Sequence, residues 1–132
     1  IHRAAGPQLL AECRLLGGCP TGEAKITKGY NLQAKYVIHT VGPIWYGGIR
    51  NEPELLRNAY LNSLKLALQN RLSSIAFPNI STGVYGFPKQ TAAEIAIRVV
   101  NNFIKENKYP QKVIFACFDD ENYSIYKKLL NQ

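Results

Sequence analysis

The stretch that most constrains this chain runs from Ile75 to Pro88: Ile-Ala-Phe-Pro-Asn-Ile-Ser-Thr-Gly-Val-Tyr-Gly-Phe-Pro. Its apolar start has strand character and stops at Pro78, small permissive residues follow, and from Lys89 to Asn107 apolar positions recur at helical spacing. Strand, loop and helix in that order build open α/β sheets, whose ligands sit in the crevice outside the carboxyl ends of the strands. Gly83 and Gly86 lack a Cβ, so the backbone there is expected to reach positive φ and to let a ligand come close. Successive amides in such a turn converge on an anion, and the N-terminus of the following helix adds its dipole. Diphosphate fits that chemistry, with Ser81 and Thr82 as extra hydroxyl donors. The same residues also make an ordinary strand-to-helix connection with Tyr85 and Phe87 in the core, and the residues alone leave both readings open. Neither GxGxxG nor GxxxxGK[ST] occurs in the chain, so a cradle here is of another type than the common nucleotide loops.

A chain of 132 residues, 46% hydrophobic and 19% charged, has the size and composition of one globular domain that needs no disulfide staples. Cys13, Cys19 and Cys117 match no zinc spacing, and with only two histidines no metal set forms, so neither metal nor cofactor is expected. Reduced thiols, no bilayer-length apolar run and no leader-like opening lead to the expectation of a cytoplasmic protein without membrane contact. A formal charge of +7 favours anionic partners, although Lys105, Lys108, Lys127 and Lys128 also read as solvated helix faces.

Periodicity orders the rest. Ala4, Ala5, Leu9, Leu10 and Cys13 form the stripe of a first helix that Gly17 and Gly18 stop. Nothing before Ile1 caps it, and the chain is expected to be a piece of something longer. Ala24 and Ile26 alternate with Lys25 and Thr27 in a half-buried strand, and Gly29 to Leu32 make a hairpin-like connection to a strand at Lys35 to Val41. Trp45 to Asn51 read as a loop around Gly47-Gly48, a candidate cleft rim. Pro53 starts a helix that reaches about Asn70, with Leu56, Tyr60, Ser63 or Leu64, Ala67 and Leu68 inward. Ser74 to Phe77 is a strand, and the next helix carries a core stripe of Ile95, Ala96, Val99, Val100, Phe103 and Ile104. A buried strand at Lys112 to Phe118 and a helix at Glu121 to Leu130, with Tyr123, Tyr126, Leu129 and Leu130 inward, close the chain. This order argues for α/β class: a three-layer α/β/α sandwich with a mixed, mostly parallel sheet in one domain spanning residues 1–132.

Four segments in order carry a resemblance: Ile1 to Pro7, Gly18 to Ala24, Tyr36 to Pro43 and Ser81 to Gly86. Together they resemble a macrodomain, of the branch that binds ADP-ribose and hydrolyses it from modified acidic side chains or from O-acetyl-ADP-ribose. The resemblance implies that Asn79, Ser81, Thr82, Gly83, Val84 and Tyr85 form a phosphate-binding loop, with Tyr85 flanking the distal ribose. Phe118 matches the ring that stacks on adenine, and Asp119 is its ribose or adenine neighbour; as residues alone, Phe118 reads equally as a core position ending a strand. His2 matches a histidine near the distal ribose that orients a water or an acidic partner, against a plain reading as a capping or exposed histidine. His39, mid-strand among apolar neighbours, reads as a satisfied core histidine.

The family's first strands, an asparagine-rich motif and a first glycine-rich loop would precede Ile1. The resemblance therefore implies an N-terminally incomplete domain whose exposed sheet edge favours a swapped or strand-paired oligomer. Two functions follow: hydrolysis of ADP-ribosyl esters by the complete domain, with the protein supplying position and electrostatic support and this chain alone expected to be crippled or to need a companion fragment, or a non-catalytic reader of ADP-ribose, poly-ADP-ribose, ADP-ribosylated protein or RNA. Nucleic acid, supported only by charge and aromatics, is a secondary partner.

Overall fold

The computed structural model describes residues 2–131, with the backbone only for His2 and Arg3. In chain order the elements are α1 (His2–Ala5), α2 (Pro7–Leu16), β1 (Ala24–Lys28), β2 (Tyr36–Thr40), α3 (Glu52–Gln69), β3 (Ser74–Phe77), α4 (Lys89–Glu106), β4 (Lys112–Phe115) and α5 (Asp120–Leu130). The single first helix expected from the sequence is two segments. Gly6 sits between them at φ +93°, a conformation that interrupts helical geometry, and Pro7 restarts the helix at a position where its missing amide costs nothing. The break is filled from outside, since Asn31 donates its backbone N–H to the Ala5 carbonyl at 3.1 Å.

β1 and β2 pair antiparallel from Ala24↔Thr40 to Lys28↔Tyr36, while β3 and β4 pair parallel from Ser74↔Lys112 to Phe77↔Phe115, with α4 as the crossover. The pairing is mixed, as expected, but it is divided between two separate two-stranded ribbons. Helices cover both sides of the first ribbon. On the α2 side, Lys25 donates to the Leu16 carbonyl at 2.8 Å and the His39 ring lies 3.8 Å from Cys13 Sγ; α3 packs against the same two strands. His39 Nε2 is also 2.9 Å from Thr27 Oγ1, the satisfied arrangement expected of it, in a half-buried place.

The core lies where α3, α4 and α5 meet the second ribbon. Leu56, Tyr60 and Leu64 of α3 face Ala92, Ala93 and Ala96 of α4, small residues that let the two helices approach closely. Tyr60 meets Phe77 at 4.9 Å between ring centroids and Phe115 meets Tyr126 at 4.8 Å. Three expected core positions, Ile104, Tyr123 and Leu130, are instead exposed. Each extends a correct stripe one position too far around or along its helix. The last strand is shorter than expected, ending at Phe115, and is not buried. Val113 and Phe115 pack on the helical core, while Lys112 and Ile114 are exposed, the alternation of a strand with one covered face.

Candidate functional site

The loop after β3 is cross-braced from within. Thr82 donates its N–H and its hydroxyl to the Asn79 carbonyl at 3.5 and 3.2 Å, Phe87 donates to the Ser81 carbonyl at 2.9 Å, and Gly86 donates to the Gly83 carbonyl at 3.0 Å. These bonds push Gly83, Val84 and Tyr85 out as a tip. Among the described residues, no acceptor takes the N–H groups of those three positions, so three successive donors are available.

Positive φ falls at Gly86 (73°), as expected, but the second such residue is Ser81 (68°) rather than Gly83. A serine in the left-handed region stores roughly 1–3 kcal/mol of strain and persists where its surroundings over-determine it. Here the Ser81 carbonyl is fixed by Phe87, and Gly42, which follows β2, presses on its side chain from behind. A Cβ on Gly42 would run into Ser81 Oγ and Ile80 Cγ2, so the loop rests on bare backbone. Ser81 Oγ is buried with no protein partner, and the Asn79 Oδ1 beside it is in the same condition. Thr82 differs from the expectation drawn for its hydroxyl. It is buried, bonded to Asn79 and 3.4 Å from Asn122 Nδ2, so it shapes the loop from below.

The segment Trp45 to Asn51 is a built rim. Trp45 donates its N–H to the Tyr85 carbonyl at 2.9 Å and sets its ring 4.7 Å from Phe87, which clamps the rim to the loop. The anchor is Glu52, a buried carboxylate that accepts N–H bonds from Tyr46 (2.7 Å), Gly48 (2.9 Å) and Arg50 (2.5 Å). Burial pushes its carboxyl up, but the converging amides outweigh that and hold it below its ordinary value. Sequence reasoning missed Glu52 because an acid in the first turn of a helix reads as ordinary dipole compensation. Its position four residues after Gly48 was the available signal.

On the other flank, Phe118 is 84% exposed beyond the end of β4, which rules out the core reading of that ring. Asp119 caps α5, accepting the Asn122 N–H at 2.7 Å on one oxygen and the Asn122 side-chain amide at 3.1 Å on the other. The Asn122 amide, and Lys89 at 3.6 Å, hold its carboxyl below the usual range. Asn122, not singled out from the sequence, is buried and ties Asp119 to Thr82, and so ties the Phe118 flank to the loop. The structure thus brings Asn79, Ser81, Thr82, Gly83, Val84 and Tyr85 together on one loop, with Asp119 joined to it through Asn122. The side chain of His2 lies outside the described residues. Among the described residues no group of His, Cys, Asp and Glu side chains is arranged to hold a metal, and no helix is long and apolar enough to cross a membrane.

Comparison with known proteins gives this geometry a context. The macro domain family matches residues 1–96. A macro domain-containing protein of Chlorobaculum tepidum is 58% identical over 130 residues, covering 98% of this chain and 76% of its own length. An O-acetyl-ADP-ribose deacetylase of Escherichia fergusonii is 57% identical over 136 residues, covering 100% of this chain and 77% of its own length. Among solved structures, a Trypanosoma brucei macrodomain in complex with ADP-ribose superposes with a TM-score of 0.90 at 45% identity, over 98% of this chain and 54% of that one. By both sequence and structure, this chain belongs to the macro domain family.

Proposed function

We propose that this chain binds ADP-ribose and acts as an ADP-ribosyl hydrolase on its esters, O-acetyl-ADP-ribose or mono-ADP-ribosylated Asp and Glu side chains. The observation that carries the reading is the row of three unclaimed N–H groups at Gly83, Val84 and Tyr85, beside the buried, partnerless Ser81 hydroxyl. Such a row suits a diphosphate, whose oxygens accept from several convergent amides at once. In this reading Tyr85 flanks the distal ribose, Phe118 stacks on adenine, Asp119 stands beside it as the cap that fixes its backbone, and His2 orients the attacking water. The name of the Escherichia fergusonii relative and the ligand of the Trypanosoma brucei structure support it. A cytoplasmic location belongs to the same proposal.

A non-catalytic reader of ADP-ribose is the second reading, and one observation favours it. The carboxylates bonded around the site, Glu52 and Asp119, are both committed to backbone amides, which leaves neither placed as a general base.

Calorimetric titration with ADP-ribose, with ATP and adenosine as controls, tests binding. Saturable binding selective for ADP-ribose is expected, and a folded sample that ignores it refutes the proposal. Turnover of O-acetyl-ADP-ribose then separates hydrolase from reader, with loss of rate in His2→Ala at unchanged affinity expected for the hydrolase. Phe118→Ala is expected to weaken ADP-ribose by about 1–3 kcal/mol, the usual worth of one stacked base. The same substitution should leave affinity for inorganic pyrophosphate unchanged; an equal loss for both ligands would show that Phe118 acts through the fold.

A further inference from the structure

Between β2 and α3 the chain exposes apolar side chains that it also holds still. Glu52 gathers the N–H groups of Tyr46, Gly48 and Arg50, so every second amide of the rim points inward at one buried carboxylate. Ile49 lies between two of those fixed residues and is nevertheless 83% exposed, with Ile44 and Tyr46 exposed beside it. Among the described residues no acceptor takes the Ile49 N–H. Across the bond from Trp45 to Tyr85, Val84 on the loop tip stands fully in solvent. A slack loop folds such side chains away, whereas one pinned at three amides keeps them out. Apolar side chains gathered and fixed in this way mark a contact surface. Arg50 adds a charge to it. Its guanidinium lies over the Tyr46 ring at 4.3 Å, a contact that uses the face of the group and leaves the N–H donors at its edge free. Among the described residues that side chain forms no ion pair.

We propose that this rim docks the polypeptide that carries an ADP-ribosylated Asp or Glu, with Ile49 against an apolar residue of that polypeptide and Arg50 on a carboxylate flanking the modified one. The inference rests on the reading of the loop as an ADP-ribose site and selects between its substrates, protein over O-acetyl-ADP-ribose. Position supports it. Tyr85, whose carbonyl the rim holds, is the residue assigned to the distal ribose, and the distal ribose is where a modified side chain is attached. Shape supports it too. A small acyl group is held by a concave pocket, whereas Ile49 and Val84 stand out from the surface and are covered only by a larger, extended partner. The free N–H donors of Arg50 match a carboxylate, which an acetyl group does not offer.

Short synthetic peptides ADP-ribosylated at one Gln, whose amide linkage stands in for the Glu ester and resists hydrolysis, would be titrated against the intact chain beside free ADP-ribose. One peptide carries Glu on both sides of the modified residue and the other carries Ser there, each bracketed by Leu. The Glu-flanked peptide is expected to bind about tenfold tighter than free ADP-ribose, the worth of one covered apolar side chain with an exposed ion pair. Ile49→Ser is expected to remove most of that gain, and Arg50→Gln to remove the preference for Glu over Ser flanks. Both side chains are exposed, so the melting temperature and the affinity for free ADP-ribose should stay those of the parent chain. Equal binding of peptide and free ADP-ribose by the parent chain, a gain that survives both substitutions, or an equal loss for peptide and free ADP-ribose in either variant would overturn the proposal. A folded chain that ignores free ADP-ribose refutes the binding reading itself, and this inference with it, so the two failures are told apart.

Discussion

Gly42→Ala is expected to remove most of the affinity for ADP-ribose while the chain stays folded. The new methyl group would overlap Ser81 Oγ and Ile80 Cγ2, and one side of that contact must move. Gly42 cannot retreat easily. It is buried, Val41 before it accepts the Gly22 N–H at 2.8 Å, and the ring of Pro43 after it is buried too. The phosphate loop gives way, and it gives way at Ser81, the residue already held at positive φ. Overpacking of this kind typically costs about 1–3 kcal/mol, equivalent to roughly 5–150-fold in affinity if it is expressed at the loop. Titration of the variant measures this directly. Gly83→Ala is the control for folding, since a Cβ there meets nothing within 4 Å, and its melting temperature should match that of the parent chain. Unchanged ADP-ribose affinity in Gly42→Ala would mean that the loop does not need this support.

Glu52→Gln is expected to lower the melting temperature by roughly 5–10 °C and to free the rim from the loop. An amide side chain turns one acceptor oxygen into a donor, so the N–H groups of Tyr46, Gly48 and Arg50 lose a shared partner that they can all reach only in the charged form. The pH dependence has a definite sign. The folded carboxyl lies below its ordinary value of 4.5, so its stabilising contribution is fully present above that value. As pH falls below 4.5 and through the lowered folded value, the contribution is lost. Melting of the parent chain between pH 7 and pH 3 should therefore show an acid limb that Glu52→Gln lacks in part. Parallel acid limbs in the two proteins would show that Glu52 is not the group responsible.

How far the sequence could be read depended on what each residue's neighbours were. Where a residue's role is set by spacing along the chain, it was legible. The alternation at Ala24 to Lys28 and the stripes of α3 and α4 identified their elements and most of the core. Where a role is set by a partner far away in sequence, it was not. Glu52, Asn122 and Gly42 were not singled out from the sequence. Their partners are amides and hydroxyls from other loops, which no periodicity encodes. Positive φ was assigned to glycine at position 83 because glycine permits it most readily, whereas the bracing of Asn79, Ser81 and Phe87 placed it on serine. Burial of β4 was overestimated for a related reason. A run of apolar residues reports that both faces could be covered, not that both are.

The chain has a single tryptophan, and it sits in the clamp between the rim and the loop, its amide on Tyr85 and its ring against Phe87. The protein therefore carries its own optical reporter where ligand entry would be felt. Intrinsic fluorescence of Trp45 should follow loading of the phosphate loop without any label, and the same signal should register release of the rim when Glu52 is protonated.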